Sequence, residues 1–98
     1  MKINKSILKK AIKMWGRDSQ IEMIEEECLE LALALQKMKR KRGNHEEKLL
    51  NTIDEIADVS IMLEQARIIF DGIVPGAIDD RIRFKMTRLA GMIAEARP

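Results

Sequence analysis

Two short acidic stretches in this 98-residue chain have the residue types and spacing to hold a metal ion. The first reads Glu25-Glu26-Glu27-Cys28-Leu29-Glu30-Leu31 and the second Asp54-Glu55-Ile56-Ala57-Asp58-Val59. Each has adjacent acids, another acid three residues on, and then an aliphatic residue. On a helix, a spacing of three puts side chains about 60° apart on one face, so Glu27 shares a face with Glu30, and Glu55 with Asp58. Like charges at that separation cost a few tenths of a kcal/mol on an exposed helix. Partial burial against a second acidic pair costs much more. A hard divalent cation removes the penalty, because Mg²⁺ takes oxygen ligands in octahedral geometry. Water positions left open on such an ion suit a phosphate-bearing substrate. A single E-x-x-E is usually solvated surface; two copies at the edges of apolar stripes are much rarer. The pattern alone leaves metal site and solvated surface both open.

The elements that must position these acids read as helices. The first spans about Asn4 to Trp15, started by Asn4 or Ser6 and stopped by Gly16, with Ile7, Leu8, Ala11, Ile12 and Trp15 at helical spacing. The second opens at Ser19, with Glu22 completing a capping box, and runs to about Arg42 before Gly43. Its apolar stripe is Ile24, Cys28, Leu31, Leu35 and Met38. The third begins at Asn44, with Glu47 three residues later, and reads through Leu49, Ile53, Ile56, Leu63 and Phe70 to Asp71-Gly72. Ile73-Val74-Pro75-Gly76 is a linker. The fourth covers roughly Ala77 to Ala96, with Ile78, Ile82, Met86, Leu89 and Ile93 as its apolar face. No segment alternates like a half-buried strand.

The second and third helices are each ~36 Å long at 1.5 Å per residue, and the short Gly43-Asn44 connection implies that they pack antiparallel. Each acid pair sits at the same edge of its stripe, so burying the stripes against one another gathers the four carboxylates. The expected fold is all-α, a four-helix bundle with two long antiparallel central helices, in one domain spanning residues 1–98.

Composition agrees. The chain is 46% hydrophobic and 35% charged, which is globular rather than disordered. Aromatics make up only 3%, so Ile, Leu, Met and Ala fill the core, the seven methionines among them. The net charge of +2 is too small to argue for nucleic-acid binding by itself, and no nucleic-acid partner is expected from it. The lone Cys28 implies a reducing compartment. The basic N-terminus is amphipathic rather than a signal peptide, and no apolar run approaches the ~20 residues of a membrane span. A cytoplasmic protein without membrane contact is the expectation.

In the order and spacing of its motifs the chain resembles the MazG-like all-α nucleoside triphosphate pyrophosphatases, relatives of dimeric dUTPases. Their mark is E-x-x-E on one helix and E-x-x-D on the next, often with an extra Glu before the first. Here that is Glu26-Glu27-Cys28-Leu29-Glu30 and Glu55-Ile56-Ala57-Asp58. Trp15-Gly16 with Gln20 looks like the segment leading into the second helix of small members. Lys85 and Arg88 match a basic pair used near substrate phosphates. The resemblance covers essentially the whole chain.

It implies hydrolysis of a nucleoside triphosphate to monophosphate and pyrophosphate, with Mg²⁺ (or Mn²⁺) held by Glu27, Glu30, Glu55 and Asp58. Lys85 and Arg88 would stabilise phosphate charge. Glu26, beside the ligands, is the candidate for orienting or deprotonating the attacking water, with Asp54 the alternative. The family forms homodimers, or tetramers as pairs of dimers, so a homodimer at least is expected. The substrate base is unassigned: Trp15 could stack on it, although a lone Trp on an amphipathic helix is more often core. Gln20 could bond it or face solvent, and Asn51, one turn before Glu55, suits a substrate or surface role equally.

Other residues read more plainly. Cys28, in the middle of the stripe, is expected to be buried packing, and the single His45 argues against zinc. Lys37, Lys39, Arg40, Lys41 and Arg42 complement a helix C-terminus; their functional reading is attraction of phosphate. Two other functions compete with the enzyme. One is a non-catalytic module binding nucleotide or metal, disfavoured by four retained and costly acids. The other is a nucleic-acid-associated helical protein using the basic run.

Overall fold

The first helix opens on Asn4, whose Oδ1 accepts from the backbone N–H groups of Ser6 (2.9 Å) and Ile7 (3.3 Å). In the computed structural model, which describes residues 2–96, this helix is α1 (Lys5–Trp15). It is followed by α2 (Arg17–Lys39), α3 (His45–Asp71) and α4 (Ala77–Ala96). Among the described residues there is no strand, and the chain is all-α as its pattern implies. It divides into two compact units, Met1–Ile68 and Ile69–Pro98.

One glycine joins α1 to α2 without a loop. Gly16 donates to the carbonyl of Ile12, closing α1, and its own carbonyl accepts from Gln20, opening α2. Its φ of +89° is open to glycine and strained for other residues. Because α2 starts at Arg17, Ser19 lies inside its first turn, and no side chain caps this end. The capping box expected from Ser19 and Glu22 is therefore absent. At its other end α2 stops at Lys39, earlier than the sequence implies. Arg40 is extended and its carbonyl accepts from Lys48 Nζ at 2.8 Å, which takes that group out of the helical ladder. Asn44 caps α3 as expected, its Oδ1 accepting from the Glu47 N–H at 3.2 Å. The linker before α4 is a pair of turns closed on Phe70 and Val74.

In the first unit the buried faces are displaced from the aliphatic stripes. On α2 the inward positions are Gln20, Ile24, Glu27, Leu31, Ala34 and Met38, all buried or half-buried. Ile24, Leu31 and Met38 belong to the expected stripe. Cys28 and Leu35 do not: both are exposed, so the expectation of a buried thiol fails. The shift is larger on α3. Thr52, Val59 and Gln65 are buried, with Glu55 and Met62 half-buried between them. The large side chains Leu49, Ile53, Ile56 and Leu63 are 41–53% exposed. Helix α3 carries apolar residues on more than one side, and in the single chain its small and polar side faces inward. Ile7 and Leu8 of α1 line a shallow groove with Ala57, Ser60 and Ile61 of α3.

In the second unit α4 is amphipathic and its side chains are largely open. Ile78 is half-buried, whereas Ile82, Met86, Leu89 and Ile93 are exposed. The Arg81 guanidinium lies 4.7 Å from the Phe84 ring centroid. Arg83 pairs with Asp80 at 3.0 Å, an exposed pair of small energetic weight.

Candidate metal centre

Glu27 comes from α2, and Glu55 and Asp58 from α3. Each offers a carboxylate oxygen, and these oxygens lie within 4.8 Å of one another. The grouping follows from the inward faces: Glu27 stands midway along the buried side of α2, and Glu55 does so on α3. The acids thus lie within the buried faces rather than at the edge of an apolar stripe. In sequence Glu27 precedes Gly43 by 16 residues, and Glu55 and Asp58 follow it by 12 and 15.

Burial raises the Glu27 carboxyl above its ordinary range, and the charges of Glu30, Asp58 and Glu55 raise it further. Glu55 is raised in the same way, by burial first and then by Glu30, Asp58 and Asp54. Glu30 bears on both, so it belongs to the cluster electrostatically, although its side chain is exposed and it is not one of the three converging oxygens. Glu27 Oε2 and Glu55 Oε2 are buried and have no hydrogen-bond partner. Both side chains are half-buried, and carboxylate oxygens left facing other acids there are unfavourable without a counter-charge. The donor set is all oxygen and anionic, which fits a hard divalent cation such as Mg²⁺ or Mn²⁺ and not a soft one.

The remaining candidates divide by position. Glu26 and Asp54 each precede a cluster acid and are exposed, Asp54 close enough to act on Glu55. Asn51 is exposed one turn before Glu55. Trp15 ends α1 at 62% exposure, so it is not core in the single chain. Gln20 is 5% exposed, which removes the reading of a solvent-facing side chain at the helix start. Lys85 and Arg88 belong to the second unit, where they flank Met86 and Leu89 on α4.

No protein-family model, curated protein or solved structure matches this chain.

Sequence reasoning passed over Gln65. It is fully buried, with neither Oε1 nor Nε2 paired. It stands on the inward face of α3, two turns or ~10 Å beyond Asp58. A buried amide without partners costs on the order of 1–3 kcal/mol for each unpaired group. The available signal was its register, seven residues after Asp58 and ten after Glu55, which repeats the helical spacing of the acids.

Proposed function

We propose that this chain is a Mg²⁺-dependent nucleoside triphosphate pyrophosphohydrolase of MazG-like type. The observation that carries the reading is the convergence of Glu27, Glu55 and Asp58 from two helices. Motif order and spacing support it, with Glu26-Glu27 and Glu30 preceding Glu55 and Asp58. Glu27, Glu30, Glu55 and Asp58 would hold the ion. When bound, Mg²⁺ supplies neutralising charge to a phosphate chain and Lewis acidity toward water.

The chain's own groups have the remaining roles. Glu26 is exposed beside the ligands, where its carboxylate can accept the proton of the attacking water. Asp54 stands in the corresponding place beside Glu55 and is the alternative base. Lys85 and Arg88, both exposed on α4, are the cations that the resemblance gives for substrate phosphates. Trp15 offers an open ring face for a base, and Asn51 an amide near the metal ligands.

A homo-oligomer is part of the proposal. Among the described residues the buried apolar core is Leu8, Ala34, Val59 and Ile69 alone, while Leu49, Ile53, Ile56 and Leu63 stand open along α3. Burying apolar area is worth ~25 cal/mol per Å², and a face of that length is normally covered. A second copy of the chain is the proposed cover; no helix is long and apolar enough to cross a membrane. The proposed setting is the cytoplasm.

Phosphorus NMR of the products tests the reaction. Monophosphate with pyrophosphate is expected; diphosphate with inorganic phosphate would assign cleavage to the wrong bond.

A further inference from the structure

The segment between α2 and α3 concentrates more positive charge than the fold uses. Residues 37–48 carry six cationic and two acidic side chains, which leaves the rest of a +2 chain net negative. The modest overall charge therefore conceals a local basic end. Complementing the α2 dipole does not explain it. That dipole amounts to about half a charge, and Lys37 and Lys39 already stand in the last turn of α2. Arg40, Lys41 and Arg42 lie beyond the helix end, and the free carbonyl there is taken by Lys48. Lys37, Lys39, Arg40, Lys41 and Arg42 are all exposed. Among the described residues none of the five is ion-paired. Gly43, at φ +82°, follows them directly.

We propose that this segment, through Lys37, Lys39, Arg40, Lys41 and Arg42, is a docking surface for the phosphate backbone of a nucleic-acid duplex, independent of base sequence. Guanidinium groups grip phosphate oxygens in pairs, and the lysines add point charges. The stretch from residue 39 to residue 48 has no Phe, Tyr or Trp on which a single-stranded base could stack; its one ring is the imidazole of His45, at the start of α3. The only apolar side chain among the five cations is the half-buried Met38, whereas membrane-surface segments pair basic with apolar residues along an open face. Five exposed cations with neither feature suit the phosphate backbone of a duplex.

Fluorescence anisotropy of a labelled duplex, with chelator present so that no cation bridges the acidic cluster, tests this. With three or four phosphates neutralised, affinity falls about a thousandfold over a tenfold rise in salt. The variant Lys39→Gln/Arg40→Gln/Lys41→Gln/Arg42→Gln should bind at least about tenfold more weakly with a flatter salt slope. Arg40→Gln/Arg42→Gln should fall between. Lys5→Gln/Lys9→Gln, on α1, should bind as the unaltered protein does. Circular dichroism establishes that each variant keeps its helices. Absence of binding at low salt would overturn the proposal, as would equal binding by the quadruple variant, or binding to phosphatidylserine vesicles without binding to duplex.

Discussion

Glu27 on α2 and Glu55 on α3 each hold Oε2 buried and without a hydrogen-bond partner, in a group that Asp58 completes. Ionised, these carboxylates repel one another across the two helices, and either a proton or a cation relieves that repulsion. Mg²⁺ or Mn²⁺ should therefore raise the melting temperature, by about 2.7 kcal/mol of stability at a hundredfold excess over Kd. Glu55→Gln should melt higher than the unaltered protein in chelator and lose the response to metal. Calorimetry in both conditions is the check.

The raised carboxyls fix the sign of a pH effect. Glu27 and Glu55 bind protons more tightly folded than unfolded. Between the ordinary carboxylate range and their raised folded values, the folded state holds more protons. Stability therefore falls as pH rises through that window and is greatest below it. In chelator, thermal melts should move upward as pH is lowered from neutrality, until other carboxylates protonate. Saturating Mg²⁺ should flatten or reverse the trend. A metal-free protein whose stability only declines on mild acidification would contradict the packing of these two acids.

The open side of α3 predicts assembly. Light scattering at micromolar concentration should give at least twice the chain mass of 11.3 kDa. Ile53→Glu/Ile56→Glu places charge at positions 53% and 48% exposed in the single chain. Such changes are tolerated in a monomer and disrupt a covered interface. The variant should shift to monomer while keeping its helices.

Capping residues separate two readings of helix starts. Asn44→Ala removes the acceptor for the Glu47 N–H and should cost about 1 kcal/mol in chemical denaturation. Ser19→Ala should stay within about 0.5 kcal/mol, because Ser19 is inside α2 and caps nothing.

Much of the fold was legible because its punctuation is local. Gly16, Asn44 and the Pro75-Gly76 linker act through backbone geometry and short-range hydrogen bonds, and all mark the observed boundaries. The acidic group was legible because three-residue spacing fixes a helical face whatever the packing. The choice of inward face was not. Leu49, Ile53, Ile56 and Leu63 form the more hydrophobic side of α3, yet Thr52, Glu55 and Gln65 face inward. Periodicity tells which residues share a face; it does not tell whether that face meets the chain's own helices or another copy. Cys28 and Leu35 were misplaced for that reason, and Gln65 went unnoticed because a polar residue on an inward face leaves no hydrophobic signal.

Pyrophosphate release from a panel of canonical and modified nucleoside triphosphates, with Mg²⁺ and with chelator, tests the proposed activity most directly. The expected result is release that chelator abolishes and that Glu30→Ala removes while the protein stays folded. No release from any triphosphate by folded, metal-saturated protein, or release undiminished in Glu30→Ala, would contradict it.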